Sequence, residues 1–254
     1  MSTASSDSSV LAGSGRLHAA RRRGFAVSVA TFFAAVAVVG FTPTYWAPLI
    51  AGRLNLHPAI HVHAVLFFTW VVFLALQTML VYRGRTRWHR EAGLFGIALA
   101  ALMVFSGVLA AIVSLRAGLR GPRPDVARTT VALSLSGMVV FTTFIAAGIA
   151  SIRRPEWHRR LMLLASFELL QPGVGRLVRR LPGLAPSTSI VIATALVDVV
   201  LLLIILADRR STGRVHTAWR MGAAFLLIVQ CLRIAIPHTA LWIAFTNWLA
   251  AMGG

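Results

Sequence analysis

The stretch from His57 to Arg90 reads HPAIHVHAVLFFTWVVFLALQTMLVYRGRTRWHR. It opens with a group of histidines, continues as an apolar run that is long enough to cross a bilayer, and ends in an arginine-rich turn. A shorter copy of its second half appears later, where an apolar run is followed by Arg153-Arg154 and then by Trp157-His158-Arg159. The pattern predicts that the chain folds within a membrane.

The composition supports the same fold class. Of the 254 residues, 57% are hydrophobic and 13% are charged, whereas about a quarter of the residues in a soluble domain are charged. Several apolar runs approach the roughly 20 residues that a helix needs to span a bilayer. We therefore predict an all-α, polytopic transmembrane helix bundle whose outer surface faces lipid.

The apolar runs predict about seven spans, preceded by a basic, disordered cytoplasmic tail over residues 1–24. The fifth span carries Glu168, Gln171 and Pro172, so we expect it to be kinked and buried among other helices. The last run is long for one span, so we expect tilt, a kink at Pro237 or an additional interfacial piece. The predicted spans lie near residues 25–41, 60–82, 92–115, 129–152, 161–177, 187–207 and 221–248.

The arginines predict the orientation of the bundle. All 25 basic residues are arginine, and the net charge is +18. They lie in small clusters between apolar runs, which is typical of topology signals and of contacts with anionic lipid, so we predict no nucleic-acid partner. With the N-terminus inside, the inner segments hold 16 arginines and the outer loops hold eight. The bias predicts an internal N-terminus and an external C-terminus in a bacterial cytoplasmic (inner) membrane.

Other features exclude several classes of site. The single cysteine, Cys231, lies within an apolar run and permits neither an intrachain disulfide nor a multi-cysteine zinc or iron–sulfur site. The sequence contains no P-loop, dinucleotide fingerprint, His-Glu-x-x-His or Gly-x-Ser-x-Gly motif. The polar residues within the spans are therefore the candidate site residues.

Two parts of the chain resemble each other. Both the second–third and the fourth–fifth pairs of spans place Trp-His-Arg before the later span, at Trp88-His89-Arg90 and Trp157-His158-Arg159. A duplicated two-helix unit would explain the match. Two ordinary interfacial anchors would explain it equally well, since Trp219-Arg220 precedes the last span without a histidine.

The segments Gln77–Gly96 (QTMLVYRGRTRWHREAGLFG) and His158–Arg176 (HRRLMLLASFELLQPGVGR) also resemble a known family. They look like the two signature stretches of a family of uncharacterised bacterial multi-pass integral membrane proteins, with His-Arg at the starts of spans. The resemblance covers about half of the chain, from the second span through the fifth. It implies a multi-pass bacterial membrane protein and no particular activity.

A histidine group lies toward the predicted outer face: His57, His61, His63 and, from the last span, His238. Imidazoles from two helices can bind haem iron axially, or bind copper or zinc. We therefore predict a haem or metal site formed by His61, His63 and His238, with haem b as the candidate cofactor. His61 and His63 point to nearly opposite sides of a helix, so at most one of them can face a site shared with the last span. Interfacial histidines that bond to headgroups or backbone are the alternative.

A second group lies toward the predicted inner face, at His89, Arg90, His158 and Arg159. Helix N-termini and arginines favour anions over metal cations at this position. The sequence therefore predicts an anion or lipid-headgroup site, with structural anchoring as the alternative.

The third group comprises Glu168, Asp198 and Arg233, which lie within predicted spans. A lone charge at the middle of a bilayer costs at least about 2.5–3.5 kcal/mol on insertion scales, so each charge should have a partner. The group predicts either a proton or substrate path or a structural ion pair that fixes helix packing.

Three functions remain open from the sequence. The first is membrane redox, with haem b or quinone near the histidine-bearing helices. The alternative is a proton-coupled transporter or permease that uses Glu168, Asp198 and Arg233. The second alternative is a non-catalytic assembly or scaffold protein. In each case the partners would be the lipid bilayer and either further copies of the chain or another membrane protein.

Overall fold

The structure is a computed structural model that describes residues 24–252. The predicted tail, residues 1–24, lies outside this range apart from Gly24. The described residues contain no strand and form eight helices, of which the first seven are long and apolar enough to span a membrane. This confirms the predicted all-α, multi-pass bundle. The helices are α1 (Gly24–Ile50), α2 (Pro58–Tyr82), α3 (Thr86–Leu119), α4 (Pro124–Ala150), α5 (Pro155–Val178), α6 (Pro186–Thr212), α7 (Thr217–His238) and α8 (Ala240–Ala251).

Consecutive spanning helices run in opposite directions, so their ends collect at two ends of the bundle. The proximal end is the one at which α1 begins, where a methyl group on Gly24 would lie 3.8 Å from the ring of Tyr82 in the last turn of α2. The distal end is the one at which α1 finishes, where Tyr45 hydrogen-bonds to Nδ1 of His61 in the first turns of α2 (3.2 Å).

Proline and histidine define several helix starts. Proline suits the first helical position because its missing N–H would have no partner there and its φ angle is already helical. Imidazole Nδ1 atoms of His57 and His216 cap α2 and α7 by accepting a backbone N–H from two residues further along. The prolines at helix starts are Pro58, Pro124, Pro155 and Pro186.

Helices α1 and α3 extend beyond the spans that hydropathy indicated. Helix α1 continues through a π-helical stretch, Thr42–Trp46, to Ile50. Helix α3 begins at Thr86 and ends at Leu119, so it contains Arg87 and Arg90 of one adjoining turn and Arg116 of the other. A span assigned from hydropathy stops at the first polar residues, whereas the helical backbone hydrogen bonds continue beyond them.

Helix α5 is interrupted at Glu168 and Leu169, which separate its two helical pieces. The N–H of Leu169 bonds to the carbonyl of Ser166, and the N–H of Gln171 bonds to the carbonyl of Glu168 (3.3 Å). Residue 172 is proline and has no N–H to donate to the Glu168 carbonyl, so the regular pattern cannot continue through this point. The irregularity therefore occurs one turn before Pro172.

Helix α7 ends in a 3-10 turn, Ile236–His238, that contains Pro237. The chain then starts a separate helix, α8, whose first turn is capped by the Thr239 hydroxyl, which accepts the N–H of Trp242 (3.2 Å). The last apolar run is therefore one span followed by a short helix.

Helix α8 packs at the distal end against α3 and α4. Arg116 donates through Nε to the carbonyl of Ala250 (3.0 Å), and Arg128 donates to the side-chain oxygen of Asn247 (3.2 Å). The indole N–H of Trp242 donates to the carbonyl of Arg128 (3.2 Å). These contacts use the arginines of the α3–α4 region to hold the last helix.

Helix α5 is the most buried of the spanning helices. Within its most apolar window 61% of the residues are buried, against 22–44% in the other six. Its second piece touches α1 through two glycines, since a methyl group on Gly40 would lie 2.5 Å from Cα of Gly173. Close approach of two helices through small residues is a typical source of packing energy in membranes.

The proximal ion cluster joins the start of α5 to the end of α6 and the start of α7. Arg160 and Asp208 are each 1% exposed and form an ion pair (2.7 Å). The indole N–H of Trp219 donates to the same carboxylate (2.9 Å), and Arg159 donates to its other oxygen (3.3 Å). Glu156 accepts from Arg160 one turn away (2.5 Å). Three helices are therefore held by one buried carboxylate.

We expect Gly40→Ala to lower the melting temperature of the detergent-purified protein. The new methyl group would meet the backbone of Gly173, and overpacking of this kind destabilises by about 1–3 kcal/mol. Gly93→Ala is the matched control, because a methyl group there meets no atom within 4 Å and should stabilise α3 by about 0.5–1 kcal/mol. Equal melting temperatures for the two variants would contradict this account of the α1–α5 contact.

We expect Asp208→Ala to destabilise the protein by about 3–5 kcal/mol, because it removes the buried carboxylate that pairs with Arg160 and leaves only the half-exposed Glu156 as its countercharge. The measurement is again the melting temperature in detergent. Asp125→Ala serves as the control, since its side chain is 89% exposed in its pair with Arg128 and such pairs contribute about 0–1 kcal/mol. A melting temperature for Asp208→Ala equal to that of the control would show that the proximal ion cluster does not hold the three helices.

Candidate functional site

The central charge cluster comprises Ser136, Glu168, Asp198, Gln230 and Arg233. Arg233 of α7 forms an ion pair with Glu168 at the interruption of α5, donating through Nη2 to Oε1. Its Nε donates to the hydroxyl of Ser136 on α4 (2.7 Å). The structure thus brings two of the three charges predicted for this site into direct contact.

The third charge, Asp198 of α6, lies close enough to Glu168 for an electrostatic interaction. Its Oδ1 accepts the side-chain amide N–H of Gln230 on α7 (2.8 Å). The cluster therefore joins four helices, α4 to α7, through side chains alone.

The cluster lies at middle depth. Glu168 is roughly 20 Å along α5 from Pro155, and Asp198 is roughly 18 Å along α6 from Pro186, at about 1.5 Å per residue. The hydrocarbon core is about 30 Å thick, so neither carboxylate reaches a membrane surface. Both side chains of the Glu168–Arg233 pair are less than a tenth exposed.

Two local features make room for the pair. The interruption of α5 places Glu168 between its two helical pieces. Gly137 of α4 faces the carboxylate, and a methyl group there would lie 3.2 Å from Oε1 of Glu168. A larger residue at 137 would press on the ion pair, so the glycine is part of the site.

Arg233 retains an unused donor. Its Nη1 makes no hydrogen bond to any atom of residues 24–252, whereas Nε and Nη2 are both engaged. A guanidinium group can bind a second carboxylate through such a nitrogen, because its donors are arranged as a fork. The cluster therefore contains a carboxylate that can take up a proton, beside a guanidinium group that can bind an anion.

The predicted haem or metal histidines lie apart. His61 bonds to Tyr45 of α1, and His63 bonds through Nδ1 to the hydroxyl of Ser106 on α3 (3.1 Å). His238 is exposed in the 3-10 turn of α7, and no hydrogen bond or ring contact within residues 24–252 joins it to either. Two residues of separation direct His61 and His63 to different helices, as the helical period requires.

No group of three or more His, Cys, Asp or Glu side chains within residues 24–252 is arranged to hold a metal ion. Haem b at His61, His63 and His238, with the redox function that depends on it, stays a prediction.

The structure brings His89 and His158 together at the proximal end. Their ring centres are 6.2 Å apart and their planes are inclined by 75°. Of the two arginines predicted to act with them, Arg90 is exposed and lies close enough to His89 for an electrostatic interaction. Arg159 bonds to Asp208 in the proximal ion cluster. The anion or lipid-headgroup site stays a prediction.

One histidine outside the predicted groups, His216, caps α7. Its ring contacts that of Trp157, with centres 5.3 Å apart. Burial and the nearby Arg160 cation lower the pKa of His216, which disfavours the protonated ring.

Sequence analysis missed several residues that the structure uses. Arg160 lies in a basic cluster and Asp208 lies beside Arg209-Arg210 in the sequence, and neither is among the predicted site residues. The spacing of Glu156 and Arg160, four residues apart on one helix, was a usable signal for an ion pair. No local signal identified Asp208 as the partner, because it lies on another helix.

No protein-family model, curated protein or solved structure matches this chain. The resemblance of Gln77–Gly96 and His158–Arg176 to a bacterial membrane-protein family therefore stays a prediction.

Proposed function

We propose that this protein is a proton-coupled transporter of a small monocarboxylate anion. The observation that carries the proposal is the ion pair between Glu168 and Arg233 at the interruption of α5. Ionisable residues within membrane spans are expensive to bury and typically mark proton or substrate paths. A structural ion pair would need no unused donor and no break in the helix that carries its acid.

Exchange of partners at Arg233 supplies the coupling. While Glu168 is ionised, its carboxylate neutralises Arg233. When Glu168 takes up a proton, Arg233 loses its countercharge and binds the carboxylate of the substrate in its place. One proton and one negative charge enter the cluster together, so its net charge is the same before and after. Loss of the proton and the substrate restores the ion pair between Glu168 and Arg233.

The substrate class follows from the group that the substrate would replace at Arg233, which is the carboxylate of Glu168. Arg233 already binds a carboxylate, and its free Nη1 adjoins that contact. A monocarboxylate carries the single negative charge that balances one proton. Asp198 provides a second proton-accepting group beside the pair.

The helix that carries the acid of the pair is discontinuous, since α5 is interrupted at Glu168. Helix α7 ends in a 3-10 turn that begins three residues after Arg233. Interrupted helices at middle depth are typical of transporter binding sites, because the pieces can change angle separately. This supports access to the cluster from one side of the membrane at a time.

We infer that the transporter lies in a bacterial cytoplasmic membrane with its proximal end inside. The arginine distribution supports this orientation, since the turns at the proximal end carry more arginines than those at the distal end. The odd number of spans, seven, supports an external C-terminus opposite an internal N-terminus.

We expect the wild-type protein in liposomes to take up labelled lactate faster when the outside is more acidic than the inside. Glu168→Gln should abolish this stimulation, because its side chain cannot take up a proton. Arg233→Gln should abolish uptake itself, because it removes the anion-binding cation. Empty liposomes measure passive leakage of the acid.

Glu91→Gln is the matched control, since Glu91 also pairs with an arginine but is half exposed near the proximal surface. It should transport like the wild type. Normal proton stimulation in Glu168→Gln would overturn the proposal, and so would uptake no faster than in empty liposomes. A Glu168→Gln variant that only melts earlier would identify the pair as structural.

We expect alkaline phosphatase fused to the C-terminus to be active in a bacterial host, because the enzyme folds only outside the cytoplasm. The same enzyme fused after Gly84, in the arginine-rich turn between α2 and α3, should be inactive. The opposite pair of results would reverse the orientation.

A further inference from the structure

Hydrogen bonds fix the tautomers of the two proximal histidines. His158 bonds through Nδ1 to the backbone carbonyl of Gly148 (2.8 Å). A carbonyl can only accept, so Nδ1 of His158 carries the proton and the neutral ring has its lone pair on Nε2.

The side chain of Gln77 fixes His89 in the same way. Its amide nitrogen donates to the backbone carbonyl of His89 (3.3 Å), so its oxygen must face Nδ1 of His89, at 2.8 Å. That oxygen can only accept, which again leaves the lone pair on Nε2. Gln77 is buried, although it lies in an otherwise apolar helix.

This arrangement is the one that metal-binding histidines adopt. Such histidines donate their other ring N–H to a carbonyl or carboxylate, which sets the tautomer and the ring orientation. Two imidazoles that share one ion, at about 2.0–2.1 Å from each nitrogen, have ring centres roughly 5–6.5 Å apart. The observed separation of His89 and His158 is 6.2 Å.

Met162 carries a thioether one helical turn beyond His158, so the two side chains share a face of α5. Its sulfur lies beside Gly148, where a methyl group would be only 2.9 Å from it. Gly148 thus accepts the proton of His158 and leaves space for the sulfur of Met162.

We propose that His89, His158 and Met162 form a binding site for copper(I) at the proximal end of the bundle. Thioether ligands select copper(I) among biological metals, and imidazole also suits copper. Copper(I) carries a single charge, which suits a site near arginines. The site has no carboxylate or thiolate that would favour a divalent ion such as zinc. The inference is independent of the proposed transport function.

The anion site predicted from the sequence would use the same two rings. In the neutral tautomers described above, the lone pair on Nε2 repels an anion. Arg159, which was predicted to assist, is engaged with Asp208 and Glu156.

The test measures copper(I) binding to the full chain in detergent, without oxygen, by competition with a coloured copper(I) chelator. We expect one ion per chain, with nitrogen and sulfur neighbours in X-ray absorption. His89→Ala and His158→Ala should each abolish tight binding. Met162→Leu keeps the volume of the side chain, so it should fold normally, weaken binding and remove the sulfur neighbour.

Gln77→Leu tests the supporting hydrogen bond, and loss of such a partner typically weakens metal binding about 10–100-fold. His57→Ala and His216→Ala are matched controls, because both rings cap helices through Nδ1, and both variants should bind copper(I) normally. The double variant His61→Ala/His63→Ala should also bind copper(I) normally.

The proposal is overturned if the wild type binds no copper(I), or if His89→Ala/His158→Ala binds it as tightly as the wild type does. It is also overturned if Met162→Leu retains both the affinity and the sulfur neighbour. Binding of inorganic phosphate that depends on His89 and His158, without copper(I) binding, would favour the anion site instead.

Discussion

The structure depends on one constraint: charges within a bilayer must find their partners inside the bundle. A membrane interior offers no water to solvate an ion, so an unpaired charge is expensive. The chain meets this constraint at two depths. Arg160 and Asp208 pair near the proximal end, and Glu168 and Arg233 pair near the centre. Each pair joins residues that are distant in sequence, 48 and 65 positions apart, so the ion pairs also fix how their helices pack.

Helix α5 connects the packing to the proposed function. It carries one member of each ion pair and one of the two closest glycines. Pro172 prevents a regular helix at Glu168, and this irregularity places an acid at middle depth beside Arg233. The same residues that would weaken an isolated helix therefore create the candidate site. The surrounding helices supply the missing stability through close contact.

The histidines show why a residue type alone does not assign a role. His57 and His216 cap helices, whereas His61 and His63 bond to two different helices. The rings of His89 and His158 lie 6.2 Å apart and bond through Nδ1, not Nε2. The six rings look alike in the sequence, and only their hydrogen-bond partners separate structural histidines from candidate ligands.

The sequence alone determined that this is a multi-pass helical membrane protein with seven spans, because span length and hydropathy are local properties of the chain. It also indicated that Glu168, Asp198 and Arg233 need partners. It could not identify Arg160 with Asp208, or His89 with Gln77, as contacts. Only the tertiary structure decided those pairings, because they depend on which helices lie side by side and on how each is rotated. Apolar spans carry little information about either, since lipid and neighbouring helices accept the same side chains.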